Sequence, residues 1–145
     1  MKEVLVFVLV YVAMVAMSFW ESCIEGRNAW ARRSLGWRLH IWKRYTLTEY
    51  HFFVFVVMFP ALLSLPLVVN GWDTRLFGVL LSAYASGLVL QDVLWFVVNP
   101  VVHLSDWNPR FAKYYPWFVI GRLRMPVFYL VGIAFALASW YFLWR

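Results

Sequence analysis

The chain has 145 residues, of which 64% are hydrophobic, 21% are aromatic and only 14% are charged. Its mean hydropathy of +0.70 lies well away from soluble globular averages, and the composition excludes disordered and collagen-like chains. The net charge is +6, but the charges flank apolar segments, so we expect membrane lipids and no nucleic acid as partners.

Four apolar stretches are long enough to cross a bilayer. They cover residues 4–20, 50–69, 76–98 and 126–144, and they lack the strict alternation of β-barrel strands. Helices satisfy their own backbone hydrogen bonds in lipid. We therefore predict an all-α fold, an integral membrane four-helix bundle that forms a single domain over residues 1–145.

Lys and Arg are unevenly distributed between the connecting segments. Segments 21–49 and 99–125 contain ten of the thirteen, and the other three are Lys2, Arg75 and Arg145. The positive-inside rule then places both long segments in the cytoplasm and both termini outside the cell membrane.

The first long segment has the pattern of a short helix lying on the membrane surface. Trp30, Ser34, Trp37 and Ile41 recur at helical spacing within residues 27–45, and basic residues cover the other directions. We predict an interfacial helix there. In the second apolar stretch, prolines at positions 60 and 66 predict a kink that frees backbone carbonyls for neighbouring groups.

Glu21 and Glu25 share one helix face at the predicted cytoplasmic end of the first span, because they are four residues apart. Two carboxylates so placed repel each other unless a cation lies between them. One reading pairs them with Arg27 or with other arginines of the loop. The other reading makes them metal ligands or acid/base groups.

Asp92 lies seven residues before Asn99, which places it about 10 Å below the loop. A carboxylate at this depth costs on the order of 3 kcal/mol, so it needs a partner or a function. A structural hydrogen bond to Arg122 or Arg124 is one reading, and a functional role is the other.

Two histidines occur at the same level of the predicted bundle. His51 begins the second span, and His103 follows the Asn99–Pro100 break after the third. An interfacial histidine is often only a solvated side chain, but here several polar groups converge. The residues expected around one cytoplasm-facing pocket are Glu21, Glu25, His51, Asp92, Asn99 and His103.

Two ligand types suit these side chains. Glu25, His51 and Asp92 are the carboxylate and imidazole groups that bind Zn²⁺, Fe²⁺ or Mn²⁺, although no tight metal motif joins them. A phosphate needs cationic donors instead. The arginines expected to bind a lipid head group or an isoprenoid phosphate are Arg38, Arg122 and Arg124.

Four short motifs follow one another along the chain: Glu25-Gly26 through Ala31, Trp37-Arg38, Tyr50-His51 and Asp92 through Pro100. Their order resembles the pattern E-G-x-x-x-W-A, then W-R, then G-Y-H, then E-D-x-x-W-F-x-x-N-P. That pattern is typical of a family of small four-span prokaryotic integral membrane proteins with no assigned activity.

The chain departs from this pattern at three places. Gln91 replaces a Glu, Glu49 replaces a Gly, and Tyr115-Pro116-Trp117 offers no His where the family has a W-H pair. If the polar residues of the family bind a metal, this chain has lost at least one ligand.

Three hypotheses on function follow. The pocket binds a lipid head group, an isoprenoid phosphate or a divalent metal, and the residues leave open whether it is catalytic. Alternatively, the chain is a non-catalytic accessory subunit of a larger membrane complex. A proton or ion pathway fits less well, because the outer halves of the spans have almost no polar residues.

Overall fold

Four long helices dominate the computed structural model, which describes residues 1–28, 36–42, 45–114, 116–121 and 123–145. All four are long and apolar enough to cross a membrane, which confirms the predicted helices. The first helix continues past the predicted end at residue 20. Their bounds are α1 Lys2–Glu25, α2 Glu49–Asn70, α3 Thr74–Val98 and α4 Val127–Trp144.

Two antiparallel hairpins complete the fold. The strands are β1 Arg38–Trp42 paired with β2 Tyr45–Thr48, and β3 Trp117–Ile120 paired with β4 Leu123–Pro126. The predicted interfacial helix is therefore wrong over its described second half, where β1 and β2 form. Five of the nine residues of β1 and β2 are β-branched or aromatic, and such residues favour a pleated surface. Residues 29–35 and 43–44 of that prediction lie outside the described residues.

The helix α3 is the centre of the bundle and packs against α1 on one side and α4 on the other. Small residues permit this close approach: a Cβ atom on Gly87 would lie 3.0 Å from Met14 Cγ. Serine hydroxyls also link the helices. These bonds run from Ser18 Oγ to Gln91 O (2.9 Å), Ser82 Oγ to Ala136 O (2.9 Å) and Ser139 Oγ to Gly78 O (2.8 Å).

The first half of α2 is a π-helix over Phe52–Met58, immediately before Pro60. In a π-helix, each N–H bonds to the carbonyl five residues earlier, and position 60 has no N–H to give Phe55. The Tyr84 hydroxyl of α3 donates to the Phe55 carbonyl instead. The predicted release of a carbonyl by proline is thus present, and a neighbouring helix satisfies it.

The second half of α2, Phe59–Asn70, is described throughout, and none of its residues is buried. Phe59 and Leu63 of this half still pack, partly buried, against Val10 and Met14 of α1 and Ala83 of α3. The first half of α2 lies beside the polar ends of α1 and α3.

The segment after α3 folds back on the end of that helix. Trp95, Phe96, Val102 and Ala112 form an apolar core here, separate from the core of Val10, Met14 and Ala83 between α1 and α3. Asn99 holds the segment in place: its Oδ1 accepts from the N–H groups of residues 101 and 102, both at 3.0 Å, and its Nδ2 donates to the carbonyl of residue 26 at 2.8 Å. The ends of α1 and α3 are thereby tied together.

Candidate functional site

A cavity of about 220 Å³ lies between the end of α1, the start of α2 and the end of α3. One part of its wall is polar and the other part is apolar. The polar lining residues are Glu21, Glu25, His51, Gln91 and Asp92. The remaining lining residues are Leu47, Phe55, Val56, Leu88, Trp95, Tyr114 and Phe128.

The two carboxylates at the end of α1 face this cavity and are almost fully buried. Glu21 is 4% exposed and Glu25 is 9% exposed. Glu21 Oε2 accepts a hydrogen bond from the Gln91 side-chain amide of α3. Its Oε1 has no hydrogen-bond partner among the described residues, although the Tyr50 hydroxyl adjoins the carboxylate. The expected pairing with Arg27 is not the arrangement found, since Arg27 donates to the Val101 carbonyl. The expected alternative partners Arg32, Arg33 and Arg44 lie outside the described residues.

His51 is held at the start of α2 by the residue that caps the helix. Thr48 Oγ1 accepts the backbone N–H of His51 at 3.4 Å and lies 2.6 Å from Nδ1 of the ring. Which of Thr48 Oγ1 and Nδ1 donates the hydrogen in this bond depends on the tautomer of the ring. Nε2 lies 3.8 Å from Glu21 Oε1 and 3.9 Å from Glu25 Oε1, beyond hydrogen-bond range.

Asp92 has a partner that sequence reasoning missed. Its Oδ2 accepts from the hydroxyl of Tyr129, near the start of α4, and the Trp107 ring stacks on Tyr129 with centroids 6.0 Å apart. The expected alternative, Arg124, is exposed on β4. Tyr129 is the third residue of α4. A tyrosine hydroxyl near the start of this helix was a signal for a neutral hydrogen-bond donor to a buried acid.

Trp95 belongs to the same cavity and carries an unsatisfied donor. The side chain is 3% exposed and lines the cavity. Its Nε1–H finds no hydrogen-bond acceptor in the part of the chain that the structure describes. Buried indole N–H groups normally have a partner, so Trp95 departs from the usual pattern within the described chain.

Four of the six predicted pocket residues line the cavity together: Glu21, Glu25, His51 and Asp92. The other two, Asn99 and His103, do not line it. Asn99 is used to tie the helix ends, and His103 is exposed and caps the short 3₁₀ turn Leu104–Asp106. The Asn99 side chain bonds to backbone groups, whereas at His103 the backbone N–H donates to the Asp106 carboxylate.

The residues predicted to bind a phosphate or a metal are not assembled into a site within the described chain. Arg38 and Arg124 are exposed on β1 and β4 and lie outside the cavity lining, and Arg122 lies outside the described residues. Within the described chain, no group of three His, Cys, Asp or Glu side chains is placed to hold a metal ion. Glu25, His51 and Asp92 therefore do not form the predicted metal site, since Asp92 is turned to Tyr129.

Comparison with protein-family models, curated proteins and solved structures gave no match for this chain. The resemblance of its motifs to four-span prokaryotic membrane proteins thus stays a prediction.

Proposed function

We propose that this protein is a multi-pass membrane protein that binds an amphiphilic molecule, a lipid, in the cavity between α1, α2 and α3. The observation that carries the proposal is the mixed lining of the cavity. Buried carboxylate, imidazole and amide groups line it together with the apolar side chains of Phe55, Leu88 and Phe128. A polar head and an alkyl chain on one molecule match such a lining.

The cavity also reaches the surface that would face the bilayer. Val56, in the first half of α2, lines the cavity and is 51% exposed, so it stands at the mouth of the cavity. A lipid would enter sideways from the membrane without first passing through water.

We infer that this end of the bundle faces the cytoplasm. The two connecting segments beside it contain ten of the thirteen Lys and Arg residues, and such an excess favours the cytoplasmic side. In intact cells, an impermeant maleimide should label an Arg145→Cys variant and should label Arg110→Cys only after permeabilisation, both in a Cys23→Ser background. Labelling in the opposite order would contradict this orientation.

Val56→Trp is expected to block the mouth of the cavity and lower lipid retention about tenfold, equivalent to about 1.4 kcal/mol. The position is half exposed, so the larger side chain leaves the helix packing intact. Native mass spectrometry of protein purified in mild detergent measures the lipid carried per chain.

Val57→Trp is the matched control. Val57 is the next residue of α2, is 42% exposed and lies outside the cavity lining. It should retain lipid like the unsubstituted protein. Equal retention by both tryptophan variants would show that the bound lipid sits elsewhere on the surface, as expected for an accessory subunit without a lipid pocket.

A further inference from the structure

The hairpin of β3 and β4 has one face made only of apolar side chains. In its register, Phe118 lies opposite Met125 and Ile120 lies opposite Leu123. Residues directly opposite each other, and residues two apart on one strand, share a face of a two-stranded ribbon. Phe118, Ile120 and Leu123 are between 42% and 62% exposed, so the rest of the described chain leaves this apolar face largely uncovered.

The opposite face of the hairpin is the one that contacts the protein. Val119 lies opposite Arg124 on that face, and Trp117 lies on it nearer the base of the hairpin. Trp117 packs against the apolar core at the end of α3 and donates from Nε1 to the Ala112 carbonyl at 2.8 Å. The apolar face is therefore turned away from the protein.

The hairpin lies next to the start of an apolar helix. β4 ends at residue 126, and α4 begins at residue 127 without a linker. With 18 residues, α4 is about 27 Å long, and the hydrocarbon core of a bilayer is about 30 Å thick. A span of this length places the hairpin at the boundary of the hydrocarbon, and exposed apolar patches at such a position mark membrane contact.

The charges around the hairpin favour an anionic lipid surface. The segment 99–125 contains four basic residues and one acid, and Arg110, Lys113 and Arg124 are exposed. Basic residues beside a bilayer attract anionic head groups, and an apolar face combined with cations is typical of elements that lie in the membrane interface.

We propose that the β3–β4 hairpin is an interfacial membrane anchor; this rests on the membrane topology proposed above and not on the cavity. Its apolar face inserts among the head groups and upper acyl chains of the adjoining leaflet, and Arg124 binds a lipid phosphate. Because β4 continues directly into α4, this insertion fixes the depth at which α4 begins.

Nitroxide spin labels on single cysteines test the insertion in the full-length protein. Ile120→Cys, Leu123→Cys, Val119→Cys and Arg110→Cys, each in a Cys23→Ser background, are reconstituted into bilayers of phosphatidylcholine and phosphatidylglycerol. Power saturation compares collisions with oxygen, which dissolves in hydrocarbon, and with nickel ethylenediaminediacetate, which stays in water. The ratio of oxygen to nickel collisions should be at least about tenfold higher at positions 120 and 123 than at 110, because the apolar face of an interfacial element lies about 5–10 Å deep. Position 119, on the opposite face, should give an intermediate ratio.

A label at Phe135→Cys, on the exposed surface of α4, is the control for membrane embedding. If position 135 collides mainly with oxygen while 120 resembles 110, the anchor is overturned and the membrane topology stands. Few collisions with either reagent at 120 would mean that a second copy or another protein covers the apolar face, which also overturns the anchor. If position 135 collides mainly with nickel, the membrane topology itself is overturned.

Arg124→Gln tests the contact with lipid phosphate, and Arg145→Gln removes the same charge at the other end of α4. Native mass spectrometry of protein released from bilayers with equal amounts of the two lipids measures the retained ratio of phosphatidylglycerol to phosphatidylcholine. The ratio for Arg124→Gln should be up to about fivefold lower than for Arg145→Gln, equivalent to about 1 kcal/mol. Equal ratios would overturn the assignment of Arg124 to a lipid phosphate.

Discussion

Replacing Asn99 with Ala is expected to lower the free energy of unfolding by about 3 kcal/mol, because three hydrogen bonds are lost at one buried side chain. Asn99 is 6% exposed; it accepts from Val101 and Val102 and donates to the Gly26 carbonyl. Its loss leaves those backbone groups without partners. Thermal unfolding in mild detergent, followed by circular dichroism, should show a midpoint lower by about 10 °C.

Asn70→Ala is the control for this substitution. Asn70 also donates to a backbone carbonyl, that of Pro66 at 2.9 Å, but at an exposed helix end. Its removal should change stability by less than about 0.5 kcal/mol. If the two variants unfolded at the same temperature, the hydrogen bonds that link the ends of α1 and α3 would not contribute to the stability of the protein.

Gly132→Val is expected to destabilise the bundle by about 3 kcal/mol through overpacking of α4 against α3. A Cβ atom at Gly132 would lie 2.9 Å from Val89 Cγ2 and 3.1 Å from the Ala85 carbonyl oxygen. The backbone oxygen cannot move aside without bending α3, so the helices must separate. The same thermal unfolding measurement reports the loss.

Ala134→Val adds the same kind of bulk on the exposed face of α4 and serves as the comparison. It should unfold within a few degrees of the unsubstituted protein. A Gly132→Val variant as stable as Ala134→Val would mean that α3 and α4 pack less closely than described.

The helices were predictable because each depends on a local property of the chain. Twenty or so apolar residues in sequence demand a helix in lipid, whatever they pack against. The common orientation of Glu21 and Glu25 was also predictable from the local sequence, because residues four apart lie on the same face of a helix. Both residues do face the cavity.

The features that could not be predicted depend on contacts between separate segments of the chain. A helical period matched a few residues of the first connecting segment, yet Leu39 pairs with Leu47 in a hairpin instead. The hydrogen-bond partner of Asp92 is Tyr129, 37 residues later in the chain. Asn99 and His103 were read as site residues because their types suit ligands, but such side chains bond equally well to nearby backbone.

The lipid-binding cavity is the central claim, and photolabelling tests it most directly. A lipid analogue with a diazirine in its alkyl chain would be incorporated, irradiated and located by peptide mass spectrometry. Binding in the cavity predicts labels concentrated on Phe55, Leu88 and Phe128, and their loss in Val56→Trp. Labels spread instead over outward-facing residues such as Leu62 and Phe135 would contradict it.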